Sequence, residues 1–498
     1  VTQALSGIGE AFLDGIPMLI IAGGIRTDVN KSYQLHEWDM HSVLSGITKK
    51  TYKIKSHQEI MSSIFEAYNI AISGNPGPVF IEIPTNIQLF KGEVSKILSY
   101  KKPEIESKII ETQIDEAIRI ISESKKVGLF LGWGAKEATA ISIQIAERLT
   151  APVSTTLQGF SVFPGNHELF TGMGFGPASV PASENAFKDV DCLIAVGTRF
   201  AEIPTGSYSA KVPENLIHID IDENVFDKNY KSKLAIQGDA KHVLECLLTA
   251  LTKNNIEKTN SRLISSIAKD KQAYYKEWSD FKFDQVNPYN FFNNLRQHLE
   301  DDAITVLDDG NHTFLTVELF QNLKSKHLIS PTDFNCMGYC VPATIGAKFA
   351  NPNKQVIGLV GEGAFLTTGL ELLTAKRTNL GIVIFVFHDG ELSQISQGQE
   401  IPYNRKTATL LGDFKLEGIA NAVGATYLVI ENDAQIDQNI SAALKDAKAN
   451  KIVLVDVHID YKKRTRFTKG VVKTVLENFP FNDKVRFIAR AIKRKILG

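Results

Sequence analysis

Short runs of Val, Ile and Leu recur along the whole chain, separated by longer stretches with the periodicity of amphipathic helices. The runs are "PMLIIAG", "PVFIEIP", "VGLFLG", "CLIAVG", "LIHIDI", "AITVLDD", "QVIGLVG", "GIVIFVF" and "KIVLVDV". They are apolar throughout rather than alternating. A strand of that kind is covered on both faces, and such strands pair in parallel with helices packed above and below. Between them, "HQEIMSSIFEAYNIAIS" and "EATAISIQIAERLT" read as the crossover helices that parallel pairing needs. The fold class expected is therefore α/β, built of doubly wound parallel sheets.

At 498 residues, 43% of them hydrophobic, the chain is too long for one core and supplies enough apolar surface for several. Two lysine-rich polar intervals break the rhythm, residues 91–108, which read as a loop, and 252–272, which read as partly helical. They divide the chain into domains at 1–95, 109–250 and 286–465, followed by a basic tail at 466–498. The opening "TQALSGIGEAFLDGIPMLIIAGG" reads as a helix feeding a buried strand, the interior of a domain, so an upstream part is expected before Val1. In the tail, Val485, Ile488, Ile492 and Ile496 have helical spacing among basic residues. Such a helix lies on a membrane or docks on its own domain, and docking is the expectation.

With 55 basic and 56 acidic side chains there is no electrostatic case for nucleic acid. No apolar stretch approaches the roughly 18 to 20 residues of a membrane span, and no signal sequence opens the chain, so a cytoplasmic protein is expected. Four cysteines, Cys192, Cys246, Cys336 and Cys340, are too few for a disulfide framework. Cys336 and Cys340 have the spacing to share a helix face, and without a second ligand pair they read as core residues.

The chemistry concentrates where two apolar runs end, at Gly361-Glu362-Gly363 and at His388-Asp389-Gly390. Ligands of open parallel sheets sit beyond the carboxyl ends of the strands. Gly361 and Gly363 permit close backbone approach, and a helix starting near Phe365 would point its free N–H groups toward an anion such as phosphate. Glu362 would repel that phosphate unless a cation lay between them, and Mg²⁺ commonly bridges one or two carboxylates to phosphate oxygens. Asp389 offers another oxygen, and a turn at Gly390 can aim the carbonyl of Glu391 inward. The two knots thus read as one metal-diphosphate site. A dinucleotide fingerprint would need a third glycine where Leu366 stands, and "GWGAKE" has Glu137 at that place. No Walker lysine motif is present. Ordinary turns with solvent-facing acids remain the alternative, and they account for either knot alone better than for the pair.

These residues resemble the thiamine-diphosphate (ThDP) enzymes of the acetolactate synthase and 2-oxo acid decarboxylase group, whose signature is GDG followed, one crossover later, by NN. The likeness covers almost the whole chain. "FLDGIPMLIIAGG" and "GNPGPVFIEIP" are similar to the family's pyrimidine-binding domain, "TTLQGFSVFPGNHELFTGMG" and "DCLIAVGTRF" to its central domain, and "DDGNHTF" with "CMGYCVPATIGAKFANP" to the entrance of its diphosphate-binding domain. The resemblance implies that Gly310, Asn311 and His312 form a diphosphate-binding turn, that Met337 is the apolar buttress under the thiazolium, and that the backbone of Gly363 and Ala364 meets the phosphates. It implies Mg²⁺ held by Glu362, Asp389 and the carbonyl of Glu391. Two positions depart from the pattern. Glu362 replaces Asp, which sets the carboxylate one methylene further out and demands a loop shift, and Asp389 replaces a neutral Asn, which favours a cation and opposes the diphosphate. His388 takes the other Asn position, where a ligand, a positioning hydrogen bond or simple tolerance are all open.

The activity implied is decarboxylation of a 2-oxo acid such as pyruvate, with transfer of the two-carbon unit to a second carbonyl. A simple decarboxylase or C–C lyase, or a non-catalytic binding protein on the same scaffold, are the alternatives. The family's ylid-forming glutamate is expected upstream of Val1, so no catalytic residue is assigned, and Glu10, Glu37 and Glu82 are not its substitutes. FAD in the central domain stays open, because Gly132, Gly134 and "TGMGFG" are generic. A homodimer or homotetramer is implied, since the family pairs first and third domains across subunits.

Overall fold

The computed structural model describes residues 1–102, 111–403 and 405–497, with the side chains of 401, 402, 491 and 493–497 outside the description. Residues 103–108 of the first polar interval, the boundary at 109 and the Ile496 side chain therefore lie outside the described part, while 91–102 carry no helix or strand. The chain forms two compact units, Val1–Lys108 with Pro331–Cys336, and Ile109–Ser330 with Met337–Gly498.

The first unit holds a parallel sheet of β1 (Met18–Gly24), β2 (Lys50–Lys53) and β3 (Pro78–Pro84), in the order β1-β3-β2. Central β3 is buried along nearly its whole length. β1 corrects the sequence reading. It has a neighbour on one side only, and Ile21 is 54% exposed rather than buried. The helix Leu5–Leu13 buries Glu10, whose carboxylate accepts the N–H groups of Thr332 (2.9 Å) and Cys336 (3.2 Å) and so binds the segment Pro331–Cys336 into this unit.

The second unit contains two six-stranded parallel sheets. One comprises β4 (Val127–Leu131), β5 (Val153–Thr155), β6 (Phe170–Met173), β7 (Cys192–Val196), β8 (Asn215–Asp220) and β9 (Leu234–Gln237), ordered β6-β5-β4-β7-β8-β9. The chain starts in the middle, winds to one edge and returns to wind to the other, which leaves a switch point between β4 and β7. There Gly132 and Gly134 lie against Gly197 so closely that a Cβ on Gly132 would fall 2.0 Å from the Gly197 carbonyl oxygen. Gly132 and Gly134 are thereby committed to backbone-to-backbone packing.

The other sheet comprises β10 (Ile304–Leu307), β11 (Leu328–Ile329), β12 (Val356–Gly361), β13 (Ile382–His388), β14 (Thr426–Ile430) and β15 (Ile452–His458), ordered β11-β10-β12-β13-β15-β14. Its switch point falls between β10 and β12. β13 and β15 are buried until their last residue, as uniformly apolar runs require. β12 and β13 are parallel neighbours joined by the helical crossover Glu362–Thr368, Gly369–Glu371 and Leu372–Arg377. The first helix of that crossover starts at Glu362, three residues before the expected Phe365, because Gly361 is still extended (φ −76°, ψ 152°) and acts as its N-cap. Cys340 opens the helix Cys340–Ala350 and Cys336 lies outside it, so the two do not share a helix face. All four cysteines are free thiols.

The tail forms two helices, Arg466–Glu477 and Phe481–Leu497. The first, which lies before the Val485–Ile496 spacing, docks. Glu318, on the helix Asn311–Leu319, accepts the N–H groups of Arg466 (3.1 Å) and Phe467 (2.8 Å), and Phe467 stacks on Phe314 with centroids 4.2 Å apart. The second does not bury its apolar stripe. Its Phe487 turns to Phe479, while Val485, Ile488 and Ile492 stay half-exposed on another face. No described helix is long and apolar enough to cross a membrane.

Glu318 also accepts the Tyr274 hydroxyl, so three donors depend on one buried carboxylate. Glu318→Ala leaves them without a partner, at a cost of about 1–3 kcal/mol for each group that water does not reach. Thermal melting is expected to show a lowered Tm for this variant, while Glu318→Asp retains part of the loss-free behaviour.

Candidate functional site

Chain direction reverses between β10 and β12, so the loops that follow them diverge and open a cleft. The β10 loop contributes Asp309, Gly310, Asn311 and His312. Gly310 has φ +151°, a conformation few side chains accept, and a Cβ there would lie 2.8 Å from the His312 ring. Buried Asp308 fixes the opposite wall. Its Oδ1 accepts the Gly338 N–H (3.0 Å) and its Oδ2 accepts that of Cys340 (2.8 Å), which holds Met337 beside the β10 loop.

Two buried side-chain nitrogens in this cleft are unanswered, an amide donor and an imidazole nitrogen that becomes a donor once protonated. Asn311 Nδ2 and His312 Nε2 have no hydrogen-bond partner. Burial pushes the His312 imidazole down to about 3, so it is neutral in the ligand-free protein. An unanswered buried polar group costs roughly 1–3 kcal/mol. An anion placed between these two would answer both and would itself raise the imidazole back toward its charged form.

Across the cleft the charge is negative. Glu362, 2% exposed, projects from the end of β12, and its Oε1 accepts the N–H groups of Asp389 (3.1 Å) and Gly390 (2.7 Å). The longer side chain that departs from the family pattern thus reaches across to the turn after β13. Burial and the adjacent Asp389 raise Glu362 to about 7. Burial likewise raises Asp389, although the Ser393 hydroxyl donates to it. The Glu391 side chain is engaged elsewhere, by Lys406 Nζ (2.9 Å) and the Thr409 hydroxyl (2.8 Å). Its carbonyl accepts the Ser393 N–H at 2.9 Å, which leaves one lone pair for a further partner. Gly363 has no room for a side chain, since a Cβ would fall 2.4 Å from Leu392 Cδ2.

All ten residues singled out in the sequence, Gly310, Asn311, His312, Met337, Gly361, Glu362, Gly363, Ala364, Asp389 and Glu391, line this one cleft of roughly 500 Å³. Sequence reasoning missed Asp309, Leu392, Ser393, Gln394, Ile395 and Tyr461, which line it too. Tyr461 follows β15 with no motif to mark it, and burial together with Asp389 and Glu362 pushes its phenol well up. His388 is not among the lining residues and turns to Asp456, Nδ1 to Oδ1 at 3.0 Å. Glu10, Glu37 and Glu82 each have protein partners: Thr332 and Cys336 for the first, Gln34 for the second, His41 and Lys53 for the third.

Donors that want an anion therefore face carboxylates that want a cation, which is what a diphosphate bridged by a divalent ion requires. Residues 114–247 match the thiamine pyrophosphate enzyme central domain, and residues 308–457 match the C-terminal TPP binding domain of the same enzymes. The chain belongs to the thiamine pyrophosphate enzymes. Among its relatives are the probable acetolactate synthase large subunit of Methanocaldococcus jannaschii, 29% identical over 92% of this chain and 79% of the relative. The acetolactate synthase large subunit of Buchnera aphidicola from Schizaphis graminum is 28% identical over 92% and 82%. The isozyme 1 large subunit of Escherichia coli is 26% identical over 93% and 81%.

For this thiamine pyrophosphate enzyme, the buried acidic pair makes a prediction in the metal-free state. Folded Glu362 keeps its proton to about pH 7, whereas an unperturbed glutamate releases it near 4.5. The folded state binds more protons across that window, so this group's contribution to stability falls as pH rises through it. Glu362→Gln keeps the oxygen that accepts both N–H groups. Its Tm is expected to match wild type below about pH 4.5 and to exceed it above pH 7 when chelator is present.

Proposed function

We propose that this chain is an acetolactate synthase-like carboligase that uses ThDP and Mg²⁺ to decarboxylate a 2-oxo acid such as pyruvate and to pass the two-carbon unit to a second carbonyl. The observation that carries the reading is the pair of unanswered buried nitrogens, Asn311 Nδ2 and His312 Nε2, opposite the buried Glu362 and half-buried Asp389 carboxyl groups. The relatives named acetolactate synthase large subunit support the choice within the family. When bound, ThDP supplies the carbon nucleophile and the electron sink that decarboxylation of a 2-oxo acid demands.

The chain's own residues have separate tasks. Asn311 and His312 donate to the diphosphate, and the backbone N–H groups of Gly363 and Ala364, in the first turn of the helix Glu362–Thr368, add further donors. Glu362, Asp389 and the Glu391 carbonyl hold Mg²⁺, which offsets the repulsion between the two carboxylates and between them and the phosphates. Met337, Leu392 and Ile395 make an apolar wall against which the organic part of the cofactor would pack. Asp308 positions that wall by holding the Gly338 and Cys340 N–H groups. By the family resemblance, the working form is a homodimer or homotetramer.

Supplied with pyruvate, ThDP and Mg²⁺, the full protein is expected to release CO₂ and form acetolactate. CO₂ with aldehyde alone would make it a simple decarboxylase, and neither product despite ThDP binding would make it a binding protein. Asn311→Ala and His312→Ala are each expected to weaken ThDP about 10-fold to 100-fold, the effect of one charge-assisted hydrogen bond of about 1.5–3 kcal/mol, measured by calorimetric titration.

A further inference from the structure

The end of β13 carries a second cluster that the ThDP reading leaves unused. In the parallel ladder His388 is in register with His458, the last residue of β15. Asp456 lies two residues before His458, so strand alternation puts it on the same face. Three side chains with metal-binding atoms are thereby brought to one face of two neighbouring strands by the register itself.

The geometry is tight. His388 Nδ1 lies 3.0 Å from Asp456 Oδ1, and His458 Nε2 lies 3.7 Å from Oδ2 of the same carboxylate. One ligand atom from each residue can be chosen so that all are within 4.8 Å of one another, the one such trio of His, Cys, Asp or Glu among the described residues. Asp456 is buried, with a side chain 5% exposed, while the His388 and His458 side chains are 23% and 32% exposed. The carboxylate therefore stays fixed and solvent reaches the rings. The surroundings orient two of the three. Tyr427 donates its hydroxyl to Asp456 Oδ2 at 2.9 Å, and Phe414 stacks on the His388 ring with centroids 5.4 Å apart.

A simple ion pair explains one histidine, not two. His388 already has a good hydrogen bond to Asp456, yet a second imidazole is held against the other oxygen at a distance too long for a hydrogen bond. One carboxylate shared by two imidazoles, with a hydroxyl behind the carboxylate, is a common arrangement around a bound transition ion.

We propose that His388, Asp456 and His458 form a binding site for a divalent transition ion of borderline softness, Zn²⁺ before others, separate from the Mg²⁺ site. Two nitrogen ligands exclude Mg²⁺ and Ca²⁺, which take oxygen, and suit Zn²⁺ and Co²⁺. The ion lies among the three facing atoms after small rotations of the exposed rings and takes the place of the hydrogen bond between His388 and Asp456. Three protein ligands leave a coordination position for water or a small anion. The ion ties the end of β13 to that of β15.

The site is independent of the ThDP reading, and the experiment separates the two. Full-length protein is stripped with chelator, saturated with Mg²⁺ and ThDP, and titrated with Co²⁺ by visible absorbance and with Zn²⁺ by equilibrium dialysis. One ion per chain is expected, with the absorbance of a site of low coordination number. His458→Ala and Asp456→Asn are expected to abolish stoichiometric binding, and Tyr427→Phe to weaken it about 10-fold to 100-fold, the usual effect of losing a group that orients a ligand. Glu362→Gln is expected to leave it unchanged, and far-ultraviolet circular dichroism checks that each variant is folded. No stoichiometric ion in wild type, binding that survives His458→Ala, or binding lost in Glu362→Gln would each overturn the proposal and leave a salt bridge only.

Discussion

The structure depends first on the register of three parallel strands. β10 pairs with β12 so that Leu307 faces Leu359, and β12 pairs with β13 so that Gly361 faces Phe387. Hydrogen bonding along buried strands leaves little freedom to slip, because a shift of one residue would exchange the side chains fitted to the two covered faces and leave a buried backbone group unpaired. The ends of these strands are therefore level. The loops that leave them must meet at the switch point, whatever those loops contain. Gly310, Glu362 and Asp389 face a common cleft because the sheet brings them there.

What the loops contain is a problem in electrostatics. Two carboxylates lie buried next to each other, and each loses its hydration while repelling the other. Such an arrangement is costly on its own and favourable around a cation. Opposite them, two buried nitrogens, Asn311 Nδ2 and His312 Nε2, have no hydrogen-bond partner in the protein. Neither half improves the stability of the ligand-free protein. Together they describe a ligand with a positive part and a negative part, which a magnesium diphosphate supplies. The substitution of Glu for Asp at 362 belongs to the same account. The added methylene lets the carboxylate cap the N–H groups of Asp389 and Gly390, so the two acidic turns are joined even before a metal binds.

Much of this was legible in the sequence, for a reason tied to burial. Strands covered on both faces must be apolar throughout, and every such run proved to be a strand, among them "GIVIFVF" and "KIVLVDV". The strands that escaped notice, β2, β5, β6, β9, β11 and β14, are short, at edges or mixed in character, and pairing rather than composition places them. β1 looked buried because apolar residues say nothing about how many neighbours a strand has. Of the ten cleft residues, Gly361, Glu362, Gly363, Asp389 and Glu391 stood out as glycines and carboxylates gathered at two strand ends, and Gly310, Asn311, His312, Met337 and Ala364 through the family resemblance. Asp456, Tyr427 and Tyr461 did not stand out, since they meet His388 and Asp389 only through the folded sheet, across tens of residues of chain. The exposed stripe of the last helix was hidden for the converse reason: spacing reveals an apolar face and not what covers it.

The most direct test of the central account is crystallography of the protein grown with ThDP and Mn²⁺ in place of Mg²⁺, with data collected at the manganese absorption edge. The account predicts an anomalous peak bonded to Glu362, Asp389 and the Glu391 carbonyl, with diphosphate density joining it to Asn311 and His312. A manganese ion bound elsewhere, or diphosphate that leaves Asn311 and His312 without a partner, would contradict it.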